Sequence, residues 1–109
     1  MKLDKYIYTI RPLRAEMLTE GPTDRESGIL QDHVAYLQRL AAESIVLLAG
    51  RTQTTDDSSF GIVILQAASQ PEAYDIMMSD PAIKHGVMDA ELFPYKIAVL
   101  SRAIEAELQ

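Results

Sequence analysis

The chain has 109 residues, 48% of them hydrophobic, with 10 Lys+Arg against 16 Asp+Glu and a net charge of −6. No linker, repeat or low-complexity tract divides it, so one small domain spanning 1–109 is expected. The acidic balance argues against nucleic acid and against an anionic membrane surface as partners. The absence of cysteine excludes disulfides, thiolate metal sites and cysteine nucleophiles, and two histidines are too few for a multi-histidine metal centre. No metal and no cofactor is therefore expected. Met1–Tyr6 has no apolar signal core, and no apolar run approaches the ~18 residues of a membrane span, so a soluble, cytoplasmic protein is expected.

Residues 5–11, rich in β-branched and aromatic side chains and stopped by Pro12, predict a first strand. Residues 12–28, with Pro12, Gly21, Pro22 and Gly28, read as a loop, as do the polar residues 52–59. A helix is predicted over 24–43. Thr23-Asp24-Arg25-Glu26 resembles a capping box, although Gly28 is expected to delay the regular part, and Leu30, Val34, Leu37, Leu40 and Ala41 form an apolar stripe. His33 lies at the border of that stripe. The apolar runs 45–51 and 60–67 predict strands two and three. Ser69-Gln70-Pro71-Glu72 opens a second long helix over 70–79, closed by Asp80-Pro81. A residue before proline disfavours helix, and Asp80 is placed to cap a short turn starting at Pro81. Strand four is expected within 91–100, with Pro94 at its start or on an edge. Ser101 opens a short C-terminal helix bearing Ala103, Ile104 and Leu108.

The order βαββαβ points to an α+β, ferredoxin-like split βαβ sheet with both long helices on one face. Strands two and three are apolar at consecutive positions and so call for cover on both faces. An equal copy of the chain is the simplest cover for the second face. A homodimer packed through sheet faces is therefore expected, because a large exposed apolar sheet invites aggregation. In this topology the two long helices run antiparallel. His33, early in the first, and Asp80, just past the second, are then expected at the same corner.

His33-Val34-Ala35-Tyr36-Leu37, Leu48-Ala49-Gly50-Arg51, Ser79-Asp80-Pro81 and Pro94-Tyr95, taken as an ordered set, resemble the YCII (YciI-like) family over about residues 5–100. The resemblance implies a ferredoxin-like domain forming a dimeric α+β barrel. It also implies a pocket in which His33 and Asp80 pair as the active site. The chain departs from the family pattern in three places: Ala82 where many members carry an aromatic after Asp-Pro, Ser44 where many end the first helix with glycine, and Pro94-Tyr95 where many have Pro-Trp. The changes at Ala82 and Tyr95 are expected to reshape a pocket wall.

Imidazole exchanges protons near neutral pH, and a carboxylate on one ring nitrogen fixes the tautomer and leaves the other free to act on a substrate. Such an acid/base dyad suits isomerisation, elimination or activation of water better than acyl transfer, since no hydroxyl lies in a nucleophile motif. The plainer readings stand beside it: His33 as a structural histidine, Asp80 as a cap. His85 reads as a surface loop residue. Arg11 and Arg51 close two strands and suit a carboxylate or phenolate substrate, or ordinary surface pairing. Tyr36, one turn from His33, is placed to line the same corner, whereas Tyr6 and Tyr8 on one face of the first strand read as core or interface. The functional expectation is a small cofactor-independent enzyme acting on a small organic molecule. The alternatives are a non-catalytic ligand-binding or regulatory dimer and a module that docks another protein. A pocket holding the dyad favours the first two, and a filled corner favours the third.

Overall fold

The long helix α2 (Asp24–Ala42) starts where its capping signal stands. The Thr23 hydroxyl accepts from the Glu26 N–H at 3.1 Å, and Glu26 Oε1 accepts from the Thr23 N–H at 2.8 Å. Helical structure runs through Gly28 without delay. Glu26 is buried and also takes Arg14 in two bonds, Nε to Oε2 at 2.9 Å and Nη2 to Oε1 at 2.6 Å. The guanidinium, helped by the Thr23 N–H, holds the Glu26 carboxyl far below the usual range, at about 2. Segment 13–22 is thereby tied to the start of α2.

The computed structural model describes residues 2–107. Its elements are β1 (Asp4–Pro12), α1 (Glu16–Thr19), α2, β2 (Val46–Arg51), β3 (Gly61–Ala67), α3 (Gln70–Met78), α4 (Pro81–Lys84), β4 (Met88–Tyr95) and α5 (Arg102–Glu107). The four strands pair antiparallel in the order β2-β3-β1-β4. This is the ferredoxin-like α+β arrangement. Tyr6, Tyr8 and Ile10 of β1 and Val63, Leu65 and Ala67 of β3 point to the helix side and pack with Leu40 of α2 and Ala73 and Met77 of α3. The opposite face carries Ile7, Ile62 and Ile64, half-buried, with Leu48, Phe93 and Tyr95 each about two-fifths exposed (41%, 44% and 41%). No helix is long and apolar enough to cross a membrane among the described residues.

Three elements differ from expectation. α1 interrupts the stretch read as a loop; its N-cap, Ala15, provides no side-chain bond, so no capping signal marks it. β4 starts at Met88, ahead of the expected 91–100, because it pairs with β1 from Pro12↔Met88 to Lys5↔Tyr95. The apolar run 97–100 lies beyond the last β1 partner, forms no strand and leaves Val99 90% exposed. Pro94 pairs with Tyr6 within β4, which is an edge strand, where a missing N–H is tolerated. Ser101 caps α5, its Oγ accepting from the Ala103 N–H at 3.2 Å; Leu108 lies outside the described residues.

α2 ends in a Schellman motif. The Ile45 N–H reaches the Leu40 carbonyl at 2.9 Å and the Ser44 N–H the Ala41 carbonyl at 3.0 Å. That geometry puts Ser44 at φ 61, the left-handed region where glycine is preferred. The glycine found there in the resembling family thus has a backbone reason. Ser44→Gly is expected to stabilise the fold by about 1 kcal/mol, read as a higher urea midpoint with an unchanged m-value.

Candidate functional site

Asp80 ends the link between α3 and α4. Pro81 forces it into an extended conformation (φ −61, ψ 123), and its Oδ1 caps α4 by accepting the Ala82 N–H at 3.0 Å. The same Oδ1 lies 2.6 Å from His33 Nδ1, across 47 positions of sequence. Oδ2 accepts the Tyr8 O–H at 2.9 Å. Asp80 has no solvent exposure and His33 has little. The expected corner is therefore real: antiparallel α2 and α3 bring the histidine and the aspartate into direct contact.

The bonding pattern sets the protons. The Tyr8 phenol is pushed well above its ordinary value, first by burial and then by the charge and hydrogen bond of Asp80, so it remains a donor. Ala82 N–H is a donor by construction. A carboxylate facing two fixed donors in a buried site is an acceptor, so His33 Nδ1 carries the proton it shares with Asp80. In the neutral ring Nε2 then holds a free lone pair.

His33 also lines a cavity of about 720 Å³. The cavity lies between α2 and the β2–β3 end of the sheet, with Met17, Leu18 and Pro22 from segment 13–22 closing one side. It exists because β2 runs out from under α2: Val46 is buried, whereas Leu48 to Arg51 are exposed. A bulge between Val46 and Leu48 puts an extra residue, Leu47, into β2, and both leucines line the cavity. Gly61 belongs to the same wall; a Cβ there would come within 2.8 Å of Ile10 Cγ1, so only glycine lets Ile10 lie over it. Among the described residues the wall is mostly apolar, and His33 and Arg51 are its ionisable side chains.

The other residues singled out from sequence separate. Arg51 is in the wall and makes no ion pair among the described residues. Arg11 stands behind the wall: its guanidinium packs over the Phe60 ring at 5.1 Å, and Nη1 donates to the Ser59 carbonyl at 3.4 Å. Tyr36 is also outside the wall. Its O–H donates to the Ile76 carbonyl at 2.6 Å, bracing α2 against α3, and Arg39 stacks on its ring at 5.4 Å. Burial and then the nearby Asp80 charge raise the Tyr36 phenol above its ordinary value. Ala82 is buried at the head of α4 and Tyr95 sits on the open sheet face, so the two family departures lie away from the cavity wall they were expected to reshape. His85 is exposed at the end of α4, where its carbonyl accepts from Arg25. Tyr8 packs in the core, one of the two places its strand position predicts, and its bond to Asp80 is an addition to that expectation. The available signal was its place on the helix-facing side of β1, where a buried phenol must find a partner.

A family model of the YCII-related domain matches residues 6–96. The chain belongs to the YCII-related family. No curated protein matches this YCII chain. Among solved structures it is similar to the 5-chloro-2-hydroxyhydroquinone dehydrochlorinase TftG of Burkholderia phenoliruptrix AC1100, in complex with 2,5-dihydroxybenzoquinone. That match has TM-score 0.60 and 23% identity, covering 84% of this chain and 93% of that one. It is also similar to an uncharacterised protein of Thermotoga maritima, with TM-score 0.54 and 12% identity over 87% of this chain and 100% of that one. At these identities the likeness shows the shared fold.

The proton assignment has a direct check. Asp80→Asn is expected to keep its amide oxygen toward the Ala82 and His33 N–H groups and turn its NH2 to the Tyr8 oxygen, so the charge is lost while Nδ1 keeps its proton. Long-range proton–nitrogen NMR of the neutral His33 ring is expected to show Nδ1 protonated and Nε2 unprotonated in both proteins, with the Nδ1–H proton resonance moved upfield in the variant.

Proposed function

We propose that this YCII domain is a small-molecule enzyme in which His33 Nε2 takes a proton from a substrate in the cavity while Asp80 holds the imidazole from behind. One observation carries this reading: the same histidine that lines the cavity is bonded through Nδ1 to a fully buried carboxylate. A structural histidine would need only the second contact. An open cavity at this corner also speaks against a module that uses it as a filled docking face.

The wall indicates the substrate and the reaction. Apolar side chains accept a carbon skeleton, and Arg51 offers a cation for an acidic oxygen, carboxylate or phenolate. Ser59, the hydroxyl in the wall, is hydrogen-bonded to Thr52 rather than to His33, which ranks acyl transfer below proton transfer. In an elimination, Nε2 takes the proton, its former bonding pair forms the new double bond, and the leaving group departs as an anion. In an isomerisation, the imidazolium returns the proton to another carbon. Each needs only the imidazole and its carboxylate, without a cofactor. The dehydrochlorinase of the same fold, with its hydroxyquinone ligand, is consistent with the elimination form.

The partner we propose for the open sheet face is a second copy of the chain. Ile7, Ile62, Ile64, Leu48, Phe93 and Tyr95 make one apolar surface that a symmetric copy would bury. Light scattering is expected to give twice the monomer mass, and Ile64→Glu to give a folded monomer.

The function is tested with 2,5-dihydroxybenzoquinone as a binding probe and chloride release from 5-chloro-2-hydroxyhydroquinone as the activity readout. Binding should weaken in Arg51→Ala. Turnover should fall about 10²-fold or more in His33→Ala. Binding without turnover would favour the ligand-binding alternative. Full activity in His33→Ala would overturn the proposal.

A further inference from the structure

Two tyrosines approach this site, Tyr8 fully buried and Tyr36 half-buried, and they spend their hydroxyls differently. Tyr36 donates to a backbone carbonyl, that of Ile76, as a phenol does when it only needs satisfying. Tyr8 donates to Asp80, the carboxylate that His33 uses. The three donors on Asp80 are divided unequally: His33 and Ala82 share Oδ1, and Tyr8 alone serves Oδ2. Asp80 is fully buried, and no buried side-chain oxygen or nitrogen lacks a partner among the described residues. Without the phenol, Oδ2 would have none. Tyr8 is itself fully buried at the centre of β1, flanked in register by Val63 and Leu92, so its geometry is held by the sheet. Phenylalanine would fill the same space, so packing does not explain the hydroxyl.

We propose that Tyr8 is a positioning residue of the site: by donating to Asp80 Oδ2 it draws charge away from the oxygen that meets His33 Nδ1–H, and so sets how strongly the carboxylate polarises the imidazole. The inference rests on the reading of His33 as the base. Hydrogen bonds in a poorly solvated network strengthen or weaken one another through the shared acceptor. A strong donor on Oδ2 makes Oδ1 a weaker acceptor, which leaves Nε2 a moderate base able to release its proton again. The charged and titratable groups around His33 are Tyr8 from β1, Asp80 from the head of α4, Tyr36 one turn along α2 and Arg51 across the cavity on β2. Tyr8 alone among them makes a hydrogen bond to Asp80 besides His33 itself.

The test reads the His33 Nδ1–H proton resonance of the ligand-free protein. A stronger acceptor moves this signal downfield. In Tyr8→Phe the resonance should move downfield. With 3-fluorotyrosine at position 8, a more acidic phenol and a stronger donor, it should move upfield. The second variant keeps the hydroxyl and the fold, and so decides the matter if Tyr8→Phe does not fold. Tyr36→Phe removes a neighbouring half-buried hydroxyl from a backbone acceptor and should leave the signal in place. A resonance unmoved by fluorination, or moved equally by the Tyr36 variant, overturns the proposal and returns Tyr8 to packing. The readout needs no substrate, so failure of the proposed activity and failure of this inference are separate results.

Discussion

A carboxylate cut off from water must be satisfied from inside the protein or not be ionised there at all. Asp80 is satisfied by three separate elements: the Tyr8 hydroxyl from the middle of β1, the His33 imidazole from α2 and the Ala82 amide at the head of α4. Its position therefore records the placing of the sheet, of the first long helix and of the turn that follows the second. Moving any of these elements by an ångström would leave a buried charge underbonded, which costs more than any one of the bonds contributes.

Much of this was legible in the chain because local chemistry and topology agree. Thr23/Glu26, Ser69 and Asp80-Pro81 announce where helices start, and the observed caps are those groups. Strand order followed from connection rules. The meeting of His33 with Asp80 needed only the antiparallel course of α2 and α3. Side chains whose partners come from a third element were harder to place. Tyr8 meets Asp80 across 72 positions, and no local pattern in either segment marks the pair. Arg11 and Tyr36 sit near the site in sequence and topology, but the faces they occupy send them to Phe60 and Ile76 instead. The start of β4 was obscured because Asp89 and Glu91 alternate with Met88, Ala90 and Leu92. That is the pattern of a half-covered edge strand rather than of the continuous apolar run further on.

Family departures divide along the same line. Ser44 keeps a backbone conformation that glycine would hold with less strain, so the family pattern there is about chain geometry. Ala82 and Tyr95 differ in side-chain size at positions away from the cavity, one packed inside and one on the open sheet face. Their variation bears on packing and on whatever covers that face, while His33 and Arg51 remain as the ionisable side chains of the wall.

The depth of the charge network also decides which parts of the site are free to change. Asp80, Tyr8 and the α4 cap are locked into the core. Much of the cavity wall is contributed by an edge strand with a bulge, by the end of the loop before β3, and by the short segment carrying α1. These outer pieces line the cavity without touching the carboxylate. Natural or laboratory variation can thus remodel the cavity piece by piece while the His33–Asp80 pair stays in register. One scaffold can then carry a succession of cavity shapes without being rebuilt.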